Sequence, residues 1–393
     1  MRTRSPASAD TRDDSPAVLS DVMGNGPILG FATQGAGGNE EDRLRALLKN
    51  FRTELVPFDR RAKRRMSRDI FHRLASRRFA LAVMEGTGVA GGLAVLMARM
   101  LRGIPYVVSS GDAVGPYLTN RWPWLRPAFG LYERVLYRFA AGFIGWTPYL
   151  TGRALEFGAP RAMTAPGWAP FPRDADARAT ARARVRAGLG IAPDTLVIGI
   201  VGSLAWTRRV GYCYGYELVE AMARTARSDV CGLIVGDGDG RARLSAMAGP
   251  RLGTRVFLIG RVSQRDVPDY LAAMDVASLP QSVDRVGGFR YTTKLSEYLD
   301  AGLPVVTGQI PMAYDLDDGW LWRLPGRAPW DARYLDGLAE LLDRLTPADL
   351  AVKRAAVPRD LPEFDRARQV ARVTSFLLEL LEDQCRLRLA TPR

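Results

Sequence analysis

The stretch Arg290-Tyr-Thr-Thr-Lys294-Leu-Ser-Glu297-Tyr-Leu-Asp-Ala-Gly302-Leu-Pro-Val-Val306 reads as a loop, a short helix, a glycine stop and a buried strand. Thr292 or Thr293 supplies an oxygen to cap the helix. Leu295, Tyr298 and Leu299 fall on one helical face. Gly302 suits the position just past the helix, and Leu303 to Val306 form an apolar strand. Lys294 therefore lies in the first turn, at the positive end of the helix dipole, which is the wrong end for a cation. The misfit disappears if an anion docks there, because backbone N–H groups, dipole and ammonium then converge on one phosphate.

The same alternation of strand and helix extends in both directions. Upstream, strands are expected at Pro27–Gln34, Glu54–Phe58, Phe79–Glu85, Pro105–Ser109 and Gly142–Thr147, with helices at Glu40–Lys49, Ala90–Leu101 and Trp124–Phe139 and a basic helix ending near Ser76. A break rich in Pro, Gly, Arg and Ala follows at about 165–190. The pattern restarts at Leu196-Val-Ile-Gly-Ile-Val-Gly202, with further strands at Gly232–Gly236, Arg255–Ile259, Val276–Pro280 and Leu303–Val306. Such alternation predicts an α/β fold with parallel sheets covered on both faces. The expected organisation is a disordered polar tail (1–25), a first Rossmann-like domain (26–185), a second (186–365) and a last amphipathic helix (366–393) packing back toward the first. Ligands of open α/β sheets bind outside the carboxyl ends of the strands.

The chain has 393 residues, with 55 basic and 42 acidic side chains, a net charge of +13 and an isoelectric point near 10. This balance favours anionic partners. Charge alone does not make a nucleic-acid binder, and no recognised nucleic-acid module is present. Cys213, Cys231 and Cys385 show no metal or redox spacing, which reads as a reduced, cytoplasmic setting. The apolar run Phe79–Leu101 is interrupted by Glu85, glycines and Arg99, and so reads as strand, glycine turn and helix rather than a membrane span. Asp59–Arg78 is a basic segment with Met66, Ile70, Phe71 and Leu74 interleaved, and Trp122 and Trp124 follow on a loop. These features are compatible with contact to an anionic membrane surface.

Four more segments carry chemistry. Gly35-Ala-Gly37-Gly38-Asn-Glu40 follows the first strand and opens a helix, where glycines allow close backbone approach and the helix N-terminus favours negative charge. Gly202-Ser-Leu-Ala-Trp-Thr-Arg208-Arg209 follows the first strand of the second half. Leu233-Ile-Val-Gly236-Asp237-Gly238-Asp239-Gly240 is a glycine-rich turn with an Asp-x-Asp. Val256-Phe-Leu-Ile-Gly260-Arg261-Val262 precedes another helix.

In order and spacing, the motifs over 196–307 resemble those of retaining glycosyltransferases of family four, which have the two-domain GT-B architecture with sheets facing across a cleft. The resemblance implies that a nucleoside diphosphate sugar is the donor, with no further cofactor and no metal. It implies diphosphate contacts for Lys294, Arg290 and one of Arg208 and Arg209, and ribose contacts for Glu297. It further implies that backbone at Gly202 lies near the donor, that backbone near Val262 lies against the base, and that Gly37 and Gly38 face the acceptor or a phosphate.

The chain also departs from the family. Phe289 stands where many members have a first glutamate eight residues before Glu297, and Gly111 stands at the site of a common histidine. Backbone N–H groups of Gly287 and Gly288 are substitute contacts for the sugar. Asp112 becomes the best polar candidate near the reacting sugar, followed by Glu85, which ends a buried strand and needs a partner or a function. His72, the single histidine, reads as a surface residue.

The expected activity is sugar transfer, with retention, to a polysaccharide, glycolipid or lipid-linked acceptor, in the cytoplasm or at the inner face of the cytoplasmic membrane. The alternatives are a catalytically degenerate scaffold or binding protein of the same fold, and a nucleotide-sugar epimerase.

Overall fold

A computed structural model describes residues 26–76, 78–113, 115, 122–290, 293–359 and 362–390. The first half runs β1 (Ile28–Ala32), α1 (Asn39–Leu47), β2 (Thr53–Leu55), α2 (Lys63–Ala75), β3 (Leu81–Glu85), α3 (Val89–Arg102), β4 (Tyr106–Ser110), α4 (Arg126–Arg138), β5 (Gly142–Gly145), α5 (Pro148–Glu156) and β6 (Ala162–Thr164). After α6 (Ala175–Leu189) come β7 (Leu196–Val201), α7 (Tyr216–Arg224), β8 (Val230–Val235), α8 (Arg241–Ala248), β9 (Val256–Gly260), α9 (Val267–Ala272), β10 (Val276–Leu279), α10 (Thr293–Asp300), β11 (Val305–Thr307), α11 (Met312–Asp315) and β12 (Leu321–Arg323). The chain ends on α12 (Ala332–Arg344), α13 (Pro347–Ala355) and α14 (Arg366–Ala390).

The strands form two six-stranded parallel sheets, ordered β2-β1-β3-β4-β5-β6 and β12-β11-β10-β7-β8-β9. Each sheet reverses direction beside its first strand, between β1 and β3 and between β7 and β10. Those switch points open crevices at the carboxyl ends of the strands. The central strands β1, β3, β4 and β8 are buried at every position, as sheets covered on both faces require. This is the GT-B architecture.

Each sheet has two apolar layers. On the first, α2, α3, α4 and α5 cover one face through residues such as Ile70, Val95, Leu136 and Leu150. The other face is covered by α1 and α14, with Leu44 and Leu47 meeting Val373 and Leu377. The last helix thus returns to the first domain, and Asn50 Nδ2 donates to Thr374 Oγ1 at 3.1 Å. The expected boundary at 185/186 falls inside α6. This helix packs on the second domain, where the buried Arg186 pairs with Asp275 at 2.7 Å and Arg182 does the same. The change-over therefore precedes α6.

Candidate active site

The domains touch along the carboxyl ends of both sheets. Gln264 Nε2 donates to Asn39 Oδ1 at 3.3 Å, Thr147 Oγ1 to the Phe289 carbonyl at 2.8 Å, and Arg290 Nε to Asp112 Oδ1 at 2.8 Å. Tyr149 Oη also donates to Asp315. Two expected site residues, Asp112 and Arg290, thus meet as an ion pair across the cleft, Asp112 about half exposed and Arg290 mostly covered.

Lys294 lies in the first turn of α10, as its sequence position requires; the expected Thr292 and Thr293 cap lies outside the described side chains. Its ammonium stands over the Tyr214 ring, 4.3 Å from the centroid. Gly202 lies directly beneath, because a Cβ there would come within 2.8 Å of Lys294 Cε and 2.9 Å of Tyr214 Cδ2. The glycine is therefore a packing requirement, since a side chain would displace the ammonium. Lys294, and next Arg290, lower the Tyr214 phenol below its ordinary value. Gln281 Nε2 also donates to Tyr214 Oη at 3.3 Å. Gly202, Tyr214, Gln281, Arg290, Lys294 and Asp112 thus form one cationic cluster at the switch point of the second sheet.

One turn along α10, Glu297 borders a crevice with Arg173, Arg178, Gln264 and Asp300. Among the described residues its carboxylate has no hydrogen bond or ion pair. Burial pushes it up to about 7, with Lys294 opposing and Asp300 adding to the rise. Val262 is half-buried on the loop that also carries Gln264. Arg208 and Arg209 lie exposed in the turn closed by the Thr207–Tyr212 bridge.

Other expected residues have different roles. Glu85 is buried, and both of its oxygens are engaged. Arg43 Nη1 donates to Oε2 at 2.9 Å and Trp146 Nε1 to Oε1 at 3.0 Å. Arg43 also lies 4.5 Å above the Trp146 ring. The acid is thus engaged by side chains of the first domain at both of its oxygens. At Gly37, φ is +74° and the N–H donates to Glu41 Oε2 at 2.6 Å, so that donor is already engaged. Gly38 caps α1 with extended backbone.

The two departures have structural counterparts. A Cβ at Gly111 would lie 2.6 Å from Trp146 Cδ2, so Trp146 fills the space that a side chain there would need. Phe289 faces the first domain instead of the crevice: its carbonyl accepts from Thr147, and the Arg153 guanidinium lies 5.6 Å from its ring centroid. The expected substitute donors are not available. Gly287 N–H donates to Asp284 Oδ1 and Gly288 N–H to the Asp284 carbonyl, both at 2.9 Å. In the Asp-x-Asp, Asp239 Oδ1 accepts from Trp206 N at 2.7 Å, and Asp237 accepts from Gly238 N at 2.9 Å. Among the described residues no group of His, Cys, Asp and Glu is arranged to hold a metal.

The family described as Glycosyl transferases group 1 matches residues 195–328, and the Glycosyl transferase 4-like domain matches residues 30–168. The chain belongs to the group 1 glycosyltransferases. It is an enzyme of that family, with the GT-B fold. A comparison with curated proteins returned no match. Among solved structures, HepE of Anabaena in complex with UDP-glucose is similar at 16% identity and TM-score 0.66, covering 89% of this chain and 99% of its own. Sucrose-phosphate synthase of Thermosynechococcus elongatus is similar at 16% identity and TM-score 0.61, covering 93% and 99%. A UDP-forming α,α-trehalose-phosphate synthase of Burkholderia xenovorans, solved with glucose-6-phosphate, is similar at 13% identity and TM-score 0.61, covering 91% and 100%. At such identities the likeness concerns the fold.

Proposed function

We propose that this glycosyltransferase moves a hexosyl group from a nucleoside diphosphate sugar, with retention and without a metal, to a carbohydrate or lipid-linked acceptor. The acceptor class points to assembly of a cell-envelope glycan or glycolipid at the inner face of the cytoplasmic membrane. The observation that carries the donor assignment is the placement of Lys294 over Gly202 and Tyr214 at the sheet's switch point, beside Arg290. A diphosphate there meets two cations and the N-terminus of α10 at once. Charge growing on the leaving phosphate is stabilised by groups already in place. UDP bound to a similar fold in HepE favours a uridine donor.

Glu297 lies on the same side of α10, one turn further, with a carboxylate open to accept from the ribose hydroxyls. Val262 and Gln264 border the space for the base, and Arg208 and Arg209 lie on the turn beyond Gly202, within the same loop. Asp112 has two roles in sequence. Before the donor binds it neutralises Arg290 across the cleft. When the diphosphate takes Arg290, Asp112 is released toward the sugar and the acceptor, which enters along Gly37 and Gly38. Closure excludes water from the reacting sugar.

A second reading has specific support. Trp146 and Phe289 occupy the places of two side chains common in the family, which would suit a nucleotide-binding protein without turnover. Release of UDP from UDP-sugars, with and without acceptor extracts, separates the two. Turnover that Lys294→Ala abolishes supports transfer. Tight nucleotide binding with no hydrolysis, transfer or epimerisation of any donor supports the second reading.

A further inference from the structure

The outer surface of helix α3 is apolar except in its last turn, where Arg102 is exposed and Arg99 half-buried. Val89, Leu93, Met97, Met100 and Leu101 recur at helical spacing and are 38–65% exposed, while Ala94, Val95 and Ala98 face the core. Single exposed apolar residues are ordinary, but a continuous stripe along four turns marks an interaction surface. Its neighbours define the partner. On the same face of the first sheet α3 lies between α2 and α4, as the order of strands requires.

On one side, α2 buries Met66, Ile70 and Leu74 and displays Lys63, Arg64, Arg65 and Arg68, with Asp69 turned to Arg73. On the other, Tyr132 of α4 covers Gly92, where a Cβ would come within 1.9 Å of its hydroxyl, and that helix exposes Leu131. Trp124, at the entry to α4, is 73% exposed. An apolar ridge with basic side chains on one flank and tryptophan on the other matches the chemistry of an anionic bilayer surface: acyl chains take the ridge, headgroup phosphates the arginines, and the indole the interface.

We infer that this face of the first domain docks on anionic membranes, with the α3 stripe entering the outer part of the bilayer. The stripe begins at Val89, just past the carboxyl end of β3, so its near end lies at the mouth of the cleft. A protein docked this way presents its acceptor side to the lipid surface. The inference builds on the reading of a lipid-linked acceptor and names the surface that would reach it.

The test is co-sedimentation of the full chain with vesicles of phosphatidylcholine alone and with phosphatidylglycerol added, beside Leu93→Gln/Met97→Gln and Arg64→Glu/Arg65→Glu. Wild type is expected to bind the mixed vesicles, to lose binding as salt rises, and to bind phosphatidylcholine alone at least about tenfold more weakly. Both double variants are expected to lose at least about tenfold in vesicle binding while keeping wild-type melting temperature and UDP affinity. Failure to bind mixed vesicles would overturn the inference, as would stripe variants that bind like wild type. A wild-type dimer that the stripe variants dissociate, with no vesicle binding, would assign the face to a second copy of the chain instead. UDP titration of the same samples reads the donor site separately, so loss of either reading is distinguishable from loss of the other.

Discussion

Two glutamates, one in each domain, have opposite fates. Glu85 closes β3 of the first sheet, buried, with Arg43 and Trp146 holding both of its oxygens. Glu297 lies on the helix before β11 of the second sheet, facing an open crevice, with a cation one turn away and no partner of its own among the described residues. An ion pair that is complete within the chain supports the structure; a charged group left unmatched is available to a ligand. By that measure, donor chemistry is concentrated in the second domain. The first domain has turned its buried charges inward and exposes an apolar stripe on α3 beside the basic α2.

The contrast can be broken most severely at Arg43. Arg43→Leu strands the Glu85 charge in the interior and should cost about 3–5 kcal/mol in stability, whereas Arg43→Leu/Glu85→Leu should recover much of the loss. Urea unfolding measures both, and a single variant as stable as wild type would remove the structural role of the pair. Lys294→Ala is the counterpart in the second domain. Sugar transfer should fall about 10²–10³-fold, as when one preorganised charge-stabilising group is lost. Its unfolding midpoint should stay close to that of wild type.

A third test concerns an acid that, unlike Glu297, is fully hydrogen-bonded. Glu217 is buried, holding hydrogen bonds from Tyr212 at 3.1 Å and Ser278 at 3.0 Å, and burial raises it from 4.5 to about 7. The folded state therefore binds more protons than the unfolded chain between those values, and stability is lost as pH rises through that window. Glu217→Gln should remove on the order of 3 kcal/mol of this dependence, read as the difference between the two stability–pH curves. The smallest effect is expected at Glu297. Protonation as pH falls through about 7 removes the acceptor for the ribose, so nucleotide affinity should weaken several-fold from pH 8 to pH 6. Glu297→Gln should bind weakly with a flat profile, and a retained slope would exclude Glu297 as its source.

Much of this was legible in the sequence because it rests on local patterns. Apolar strands, glycine turns and the misplaced cation at Lys294 are all readable within a short window. What escaped depends on contacts between distant segments. Nothing near Tyr214 signals that its ring supports Lys294, 80 residues away in the chain. Trp146 gives no sign that it excludes a side chain at Gly111 or that it holds Glu85. Arg43 did leave a signal, one basic residue on the inward face of α1 beside Leu44 and Leu47, and a buried acid elsewhere was its natural partner. The exposure of α3 was also hidden, because an apolar helix after a buried strand reads as core until its neighbours are placed.

We propose above all that Lys294, supported by Gly202 and Tyr214, holds the diphosphate of the donor. Calorimetric titration with UDP, GDP and ADP, on wild type and Lys294→Ala, tests it most directly. Saturable binding of one nucleotide is expected, with UDP first, reduced at least about tenfold in the variant by loss of a charge-assisted phosphate contact. Equal affinities in the two proteins, or no binding of any nucleotide by a folded wild-type sample, would contradict it.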